Sequence, residues 1–383
     1  MVIDATKRVT DVVQEMHVTI ASGPDLLGRP LEGPARAITD IVYGSIRGVT
    51  HVVGAGIDVV LDQLAPLFGE SAPGAERAAL VAALNGVIGD YLSESGNPLA
   101  TSMALCHAGE SIVLDPAGVA AAFPRATEKI LVLAHGSSMN DRQWTRGGHD
   151  HGQSLARDLD YTPVYLRYNS GLHVSTNGER FAPLLDRLVN AWPVPVESIA
   201  IVGHSMGGLV ARSACHVAEE KGFAWRKKLT KLASLGTPHH GAPLERLGNT
   251  FELLLGVSRY SAPLAALSKL RSAGVTDLRY GNVLAEHWDG RDRFEFAGDP
   301  RRRLALPDGV ECYAVAGSLS SKPAKRPRGD GLVPVDSALG RHRRLELALA
   351  FPETHQLVAY GVDHLGLLSR AEVYAQLRAW LAA

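Results

Sequence analysis

The chain has 383 residues, 46% of them hydrophobic, enough for one large domain with an accessory region or for two domains. Thirty-nine basic and 40 acidic residues leave a formal charge of −1, so bulk charge gives no basis for a nucleic-acid partner. Three cysteines, Cys106, Cys215 and Cys312, lie far apart with no CxxC, which argues against a disulfide framework or a zinc site and for buried free thiols.

The N-terminal stretch MVIDATKRVTDVVQ has no uninterrupted apolar run, so no cleavable signal peptide is expected. No stretch of about 18 uncharged apolar residues follows, so no spanning helix is expected either. The expected location is cytoplasmic, with peripheral contact to a membrane or lipid surface left open. Residues 1–96 read as a helical extension. Val9, Val12, Val13, Met16 and Ile20 recur at helical spacing, and a longer stripe runs from Ile38 to Leu64. Gly44, Gly48, Gly54 and Gly56 interrupt that stripe, each at a cost of about 1 kcal/mol against alanine. Close helix-to-helix approach would offset this, as would contact with lipid or an oily substrate. A third helix is expected over about 74–92. A stripe this long is expected to pack on the rest of the chain.

After Asn97-Pro98, short β-rich runs alternate with helical ones. Met103–Cys106 and Ser111–Leu114 read as a hairpin. Ile130–Ala134, Val164–Tyr168, Ile199–Val202, Leu232–Leu235, Cys312–Ala316 and Gln356–Tyr360 are compact apolar runs, as in a parallel sheet buried on both faces. Helical segments are expected near 152–158, 178–191 and 207–221, and from about Ser369 to the end. This pattern implies an α/β class, with a mostly parallel sheet flanked by helices. Residues 244–303 break the alternation and read as a mostly helical lid insertion. The domain division is therefore 1–96 and 97–383.

The stretch IAIVGHSMGGLVAR, Ile199 to Arg212, carries the chemistry. A GxSxG match alone is weak, but Ser205 follows a buried-strand pattern and precedes a helical one. Such a turn strains the backbone at the serine and projects its hydroxyl. Gly203 and Gly207 remove Cβ atoms that would clash there, and Gly208 lets the helix approach the sheet. A serine nucleophile needs a base and an orienting acid, in the chain order serine, acid, histidine. His364 lies in YGVDHLGLL, after the last strand and at the edge of the nucleophile turn. His355 falls at the start of that strand and so at the opposite edge; His364 is favoured. Asp330 and Asp336 are both candidates for the acid. The glycines flanking Asp330 favour it, whereas Asp336 sits where a helix N-cap would fall. The oxyanion donors are expected to be the amides of Met206, at the helix start, and Ser137, after His135-Gly136. His135 reads as a support for its loop.

Other features have plainer readings. His149, Asp150 and His151 in GGHDHG offer a metal cluster but read as a solvated loop. Asn169 and His173 follow a strand and are candidates for lining a pocket. The basic runs 322–328 and 341–344 read as solvated loops rather than as an anionic-lipid surface.

The pieces AHGS (134–137), GHSMGG (203–208), LGTPHHG (235–241), DGLVP (330–334) and DHL (363–365) resemble the serine lipases and esterases of the α/β-hydrolase superfamily. They are most similar to bacterial true lipases and to PGAP1-like (GPI inositol-deacylase-like) hydrolases. The resemblance covers about residues 98–383. It implies an α/β-hydrolase fold and a Ser205–Asp330–His364 triad that hydrolyses hydrophobic acyl esters, polyesters among them, through an acyl-enzyme. Acyl transfer and thioester hydrolysis use the same machinery. A membrane-associated interaction protein on the same scaffold is the non-enzymatic alternative. The resemblance also implies that Thr237, Pro238 and Gly241 shape the floor of the site. In the bacterial lipases a calcium ion steadies the histidine loop through an aspartate in a histidine-leucine-aspartate motif. Here Gly366 stands in that place, so no metal or other cofactor is expected, and packing from the lid or the N-terminal helices is expected to hold the loop. The expected partner is a small-molecule or lipid-like ester; the oligomeric state is open.

Overall fold

The computed structural model describes residues 74–242, 272–291, 299, 301–323 and 327–382. The first two expected helices and most of the expected lid lie outside the described residues. The described residues start with α1 (Gly74–Glu94), then β1 (Ala104–His107), β2 (Glu110–Ser111), α2 (Pro116–Ala122), β3 (Lys129–Ala134), α3 (His151–Leu159) and β4 (Thr162–Arg167). It continues with α4 (Val174–Asn190), β5 (Ser198–His204), α5 (Met206–Lys221) and β6 (Leu229–Leu235). The short α6 (Ala273–Asp277), β7 (Glu311–Ser318), α7 (Val335–Ala338), β8 (Gln356–Tyr360) and α8 (Ala371–Ala382) complete it.

The eight strands form one sheet in the order β2-β1-β4-β3-β5-β6-β7-β8. β3 to β8 run parallel, and the β1–β2 hairpin joins antiparallel to β4. Side chains alternate across a strand, so a strand buried on both faces must be apolar throughout. Ile130 and Val132 of β3, with Ile199 and Ile201 of β5, pack on one face under Phe181 and Leu185 of α4 and Leu209 of α5. Their neighbours Leu131, Leu133, Ala200 and Val202 pack on the other under Leu155 of α3 and Leu377 and Trp380 of α8. Each such side chain contributes about 1.5–3 kcal/mol on full burial.

The helix α1 is fastened to this core. Asn169 Nδ2 donates to the Gly89 carbonyl (2.8 Å), and Ser272 Oγ to the Gly86 carbonyl (2.7 Å). The Ala273 amide donates to Asp90 Oδ2 (2.9 Å). A Cβ on Gly86 would collide with Ser138, and one on Gly89 with Asn169. Here glycine in a helix allows close approach, one of the two roles considered above for glycines earlier in the chain, which lie outside the described residues. The described part of the 244–303 insertion is not a loose cover. Residues 273–277 are all buried, and Asp277 Oδ2 accepts from the Val174 amide (2.8 Å) at the start of α4. Among the described residues no helix is long and apolar enough to cross a membrane.

Candidate active site

Parallel strands gather their C-terminal loops at one sheet edge, where ligands bind in open α/β sheets. The turns after β3, β5, β6, β7 and β8 all end there. Between β5 and α5, Ser205 has φ 52° and ψ −123°, a conformation that costs a residue with a Cβ about 1–3 kcal/mol. The turn closes because Gly203 lies where a Cβ would come within 2.5 Å of the Gly208 backbone. A Cβ on Gly207 would strike the Ala134 carbonyl. The Ser205 amide donates to the Leu235 carbonyl (2.8 Å), tying the turn to β6. Gly208 makes room for Thr237, whose hydroxyl would meet a Cβ there.

Asp330 sits beyond β7 and His364 beyond β8. His364 Nδ1 donates to Asp330 Oδ2 at 2.7 Å, with both side chains almost wholly buried. Asp330 Oδ1 accepts from the amides of Leu332 (3.0 Å) and Val333 (2.8 Å), which fixes the carboxylate. The His364 amide donates to the Asp330 carbonyl (3.0 Å), so the two loops are also joined by backbone. With its Nδ1 donating, neutral His364 presents a lone pair at Nε2, and that atom is buried without a partner. Asp336 is exposed in the first turn of α7 and pairs loosely with Arg341 (3.7 Å). It is not the N-cap, which is Pro334. His355 directly precedes β8 and its Nδ1 lies 3.2 Å from the Cys312 carbonyl, at the opposite edge of the sheet.

The loop after β3 packs on the serine. A Cβ on Gly136 would come within 3.1 Å of Ser205 Cβ. The amides of Ser137 and Met206 have no hydrogen-bond acceptor among the described residues. Ser138 stands in the left-handed region (φ 60°), held by its amide donating to Ser170 Oγ (2.9 Å). His135 stacks on Tyr168 (4.2 Å) and donates through Nδ1 to the Gly136 carbonyl (2.8 Å). Tyr168 donates in turn to the His135 carbonyl (2.7 Å). Burial pushes His135 down to about 4, so it is a neutral loop support.

Two further histidines brace the His364 loop, and neither role was expected. His204 Nε2 donates to the His364 carbonyl (3.0 Å), and the two rings lie 4.7 Å apart. Burial and the neighbouring His364 hold His204 well below the ordinary histidine range. His151 is no part of a solvated loop: it is fully buried, and its Nε2 donates to the Leu367 carbonyl (2.9 Å). Its Nδ1 accepts from His149 Nε2 (2.8 Å), while Asp150 Oδ1 accepts from Tyr165 (2.8 Å). The loop is closed locally by the Gly366 amide donating to Asp363 Oδ1 (2.6 Å). Asp363 therefore points back into its own loop. These contacts hold the histidine loop among the described residues; most of the lid and the first two N-terminal helices, from which packing was expected, lie outside them. Asn169 and His173 are also turned inward. Asn169 fastens α1, and His173 Nδ1 donates to Asp277 Oδ2 (3.0 Å) with its ring stacked on Trp288.

A profile of the PGAP1-like alpha/beta domain family matches residues 149–292. That span contains Ser205 and stops short of Asp330 and His364. Among solved structures, the chain is similar to the mature lipase BlEst2 of Bacillus licheniformis, with 16% identity and a TM-score of 0.43, covering 66% of this chain and 91% of that one. It is similar to lipase B of Aspergillus fumigatus, with 13% identity and a TM-score of 0.41, over 71% and 54% of the two chains. It is also similar to the RedJ thioesterase of Streptomyces coelicolor, with 15% identity and a TM-score of 0.38, over 68% and 91%. No curated protein matches the sequence. With its mostly parallel sheet, its strained strand–turn–helix after β5 and loops at one edge, the chain has the α/β-hydrolase fold, and its residues 149–292 match the PGAP1-like alpha/beta domain family.

Proposed function

We propose that the chain is a serine carboxylic ester hydrolase with Ser205 as nucleophile, His364 as base and Asp330 as orienting acid. The observation that carries this reading is the buried 2.7 Å bond from His364 Nδ1 to Asp330, which leaves Nε2 as an unpartnered base, with the His364 ring 4.7 Å from that of His204, the residue before the strained Ser205. Ser205 Oγ attacks the ester carbonyl carbon as its proton passes to His364 Nε2. The oxyanion of the tetrahedral intermediate accepts from the amides of Met206 and Ser137, the first at a helix N-terminus, where the dipole favours negative charge. Collapse breaks the C–O bond, and the alcohol leaves with the proton from His364. Water then attacks the acyl-enzyme, gives its proton to His364, and the acid departs as Ser205 regains a proton.

Hydrophobic acyl esters are the substrate class this reading favours. A cleft of about 530 Å³ lies between α1 and the 139–142 loop, walled by Val81, Leu99, Met139 and Tyr168 and, on its polar half, by Arg77, Glu110, Arg142 and Arg167. Met139 borders both this cleft and the Gly136 turn beside Ser205. Hydrolysis of p-nitrophenyl esters of graded acyl length tests the proposal. Turnover that rises with an apolar chain and disappears in Ser205→Ala supports it. Absence of turnover on every ester and thioester offered contradicts it.

A further inference from the structure

Away from Ser205, α5 carries a buried cation whose charge no carboxylate among the described residues balances. Arg212 is 4% exposed. Its Nη2 donates to the Leu304 carbonyl (2.5 Å) and its Nη1 to His239 Nδ1 (3.3 Å), but Nε has no acceptor. No carboxylate among the described residues pairs with it. A half-buried carboxylate of the neighbouring segment, Asp299, is taken by Arg301, which it binds at 2.8 Å. Arg301 spends its remaining donors on the His239 and Gly281 carbonyls.

His239 adds a second free donor. Because its Nδ1 accepts from Arg212, the proton of the neutral ring sits on Nε2, and that atom is buried with no partner. His287 Nε2 is likewise unpartnered; its Nδ1 accepts from the Val283 amide (3.3 Å). Arg212, His239, His287 and Arg301 all face one cavity of about 20 Å³, closed on one side by Leu347 and Leu349. That is room for a single particle the size of a water molecule. Burial and the nearby Arg301 lower Arg212 to about 10, so it stays charged at neutral pH. An unpaired buried cation is costly, and a polar group left unbonded beside it adds to that cost.

We propose that this cavity binds one monatomic monovalent anion, a halide such as chloride, between Arg212 Nε and His239 Nε2. A water molecule would satisfy the free donors and leave the charge. A phosphate, sulfate or carboxylate group is too large for the space. The ion would clamp α5, which begins directly after Ser205, to residues 281–287 and 301–304. The inference does not depend on the ester-hydrolase reading, since its readout is binding.

The test is thermal unfolding of the full chain in sodium chloride, bromide or gluconate at equal ionic strength. Chloride and bromide should raise the melting temperature along a saturating curve, by mass action on the folded state. Gluconate, too large for the cavity, should not. Arg212→Met should lose the halide-specific rise. As a second measurement, crystals of the wild-type chain soaked in bromide should give an anomalous peak between Arg212 and His239. Equal melting in all three salts would overturn the proposal, as would a bromide peak elsewhere or ordinary water density in the cavity.

Discussion

The ring of His204 donates from Nε2 to the carbonyl oxygen of His364 at 3.0 Å, so the residue before Ser205, the proposed nucleophile, holds the proposed base. The bond is buried, and the nearby Trp144 ring (6.5 Å) helps to close the space around His204. His204 is thus a positioning residue in the proposed mechanism. His204→Phe leaves a buried carbonyl unbonded, which costs about 1–3 kcal/mol. A lower melting temperature is expected, together with a fall in kcat that exceeds any change in KM. A His204→Phe protein with wild-type melting and kcat would show that the bond positions nothing.

Asp330→Asn should reduce kcat by about 10⁴, because an amide facing Nδ1 stabilises the wrong imidazole tautomer. Asp336→Asn, on an exposed side chain, should leave kcat within a factor of about two, since surface changes are usually worth less than 0.5 kcal/mol. Steady-state kinetics of the two variants separates them; the reverse pattern would move the acid to Asp336.

Acid should weaken the fold before it titrates most carboxylates. Burial pushes His135 and His151 down to about 4, against about 6.5 in an unfolded chain. Between these values the unfolded chain binds protons that the folded chain refuses, so stability rises with pH there. It should be fully present above about 6.5 and lost progressively as pH falls toward 4. Melting temperature against pH is the measurement. A flat profile across that window would contradict the buried, neutral assignment of these rings.

Removing divalent metal should change nothing. The histidine loop is closed by Asp363 accepting from the Gly366 amide and by His151 donating to the Leu367 carbonyl. A calcium site wants 6–8 oxygen ligands, and no group of three or more histidine, cysteine, aspartate or glutamate side chains among the described residues is placed to hold a metal ion. Activity and melting temperature after exhaustive EDTA dialysis should match the untreated protein. A loss restored by added calcium would refute this.

The sheet was legible because its strands are apolar on both faces. Gln356–Tyr360 is bounded as expected, and β3 and β5 extend their expected runs by one to three residues. The strained turn at Ser205 and the loops that bring Asp330 and His364 together could be anticipated because strand–turn–helix order and flanking glycines are local signals. The hairpin and α4 were displaced by a few residues, as element ends usually are. The helix α2 was missed, although Asp115 followed by Pro116 is an N-cap with proline at the first helical position. Small residues in PAGVAAA gave it almost no apolar stripe. His151 and His204 were out of reach for a different reason. Their acceptors lie 216 and 160 residues further along the chain, and nothing local marks such a bond. The same holds for Asn169, whose partner on α1 is 80 residues back.

The most direct test of the proposed chemistry is to treat the full chain with a fluorophosphonate and locate the adduct by mass spectrometry. The phosphonyl group should be found on Ser205 alone, in one equivalent. Labelling should be abolished in Ser205→Ala and slowed by several orders of magnitude in His364→Ala, while His355→Ala labels normally. An adduct on any other serine, or labelling of Ser205 that is indifferent to loss of His364, would contradict the triad.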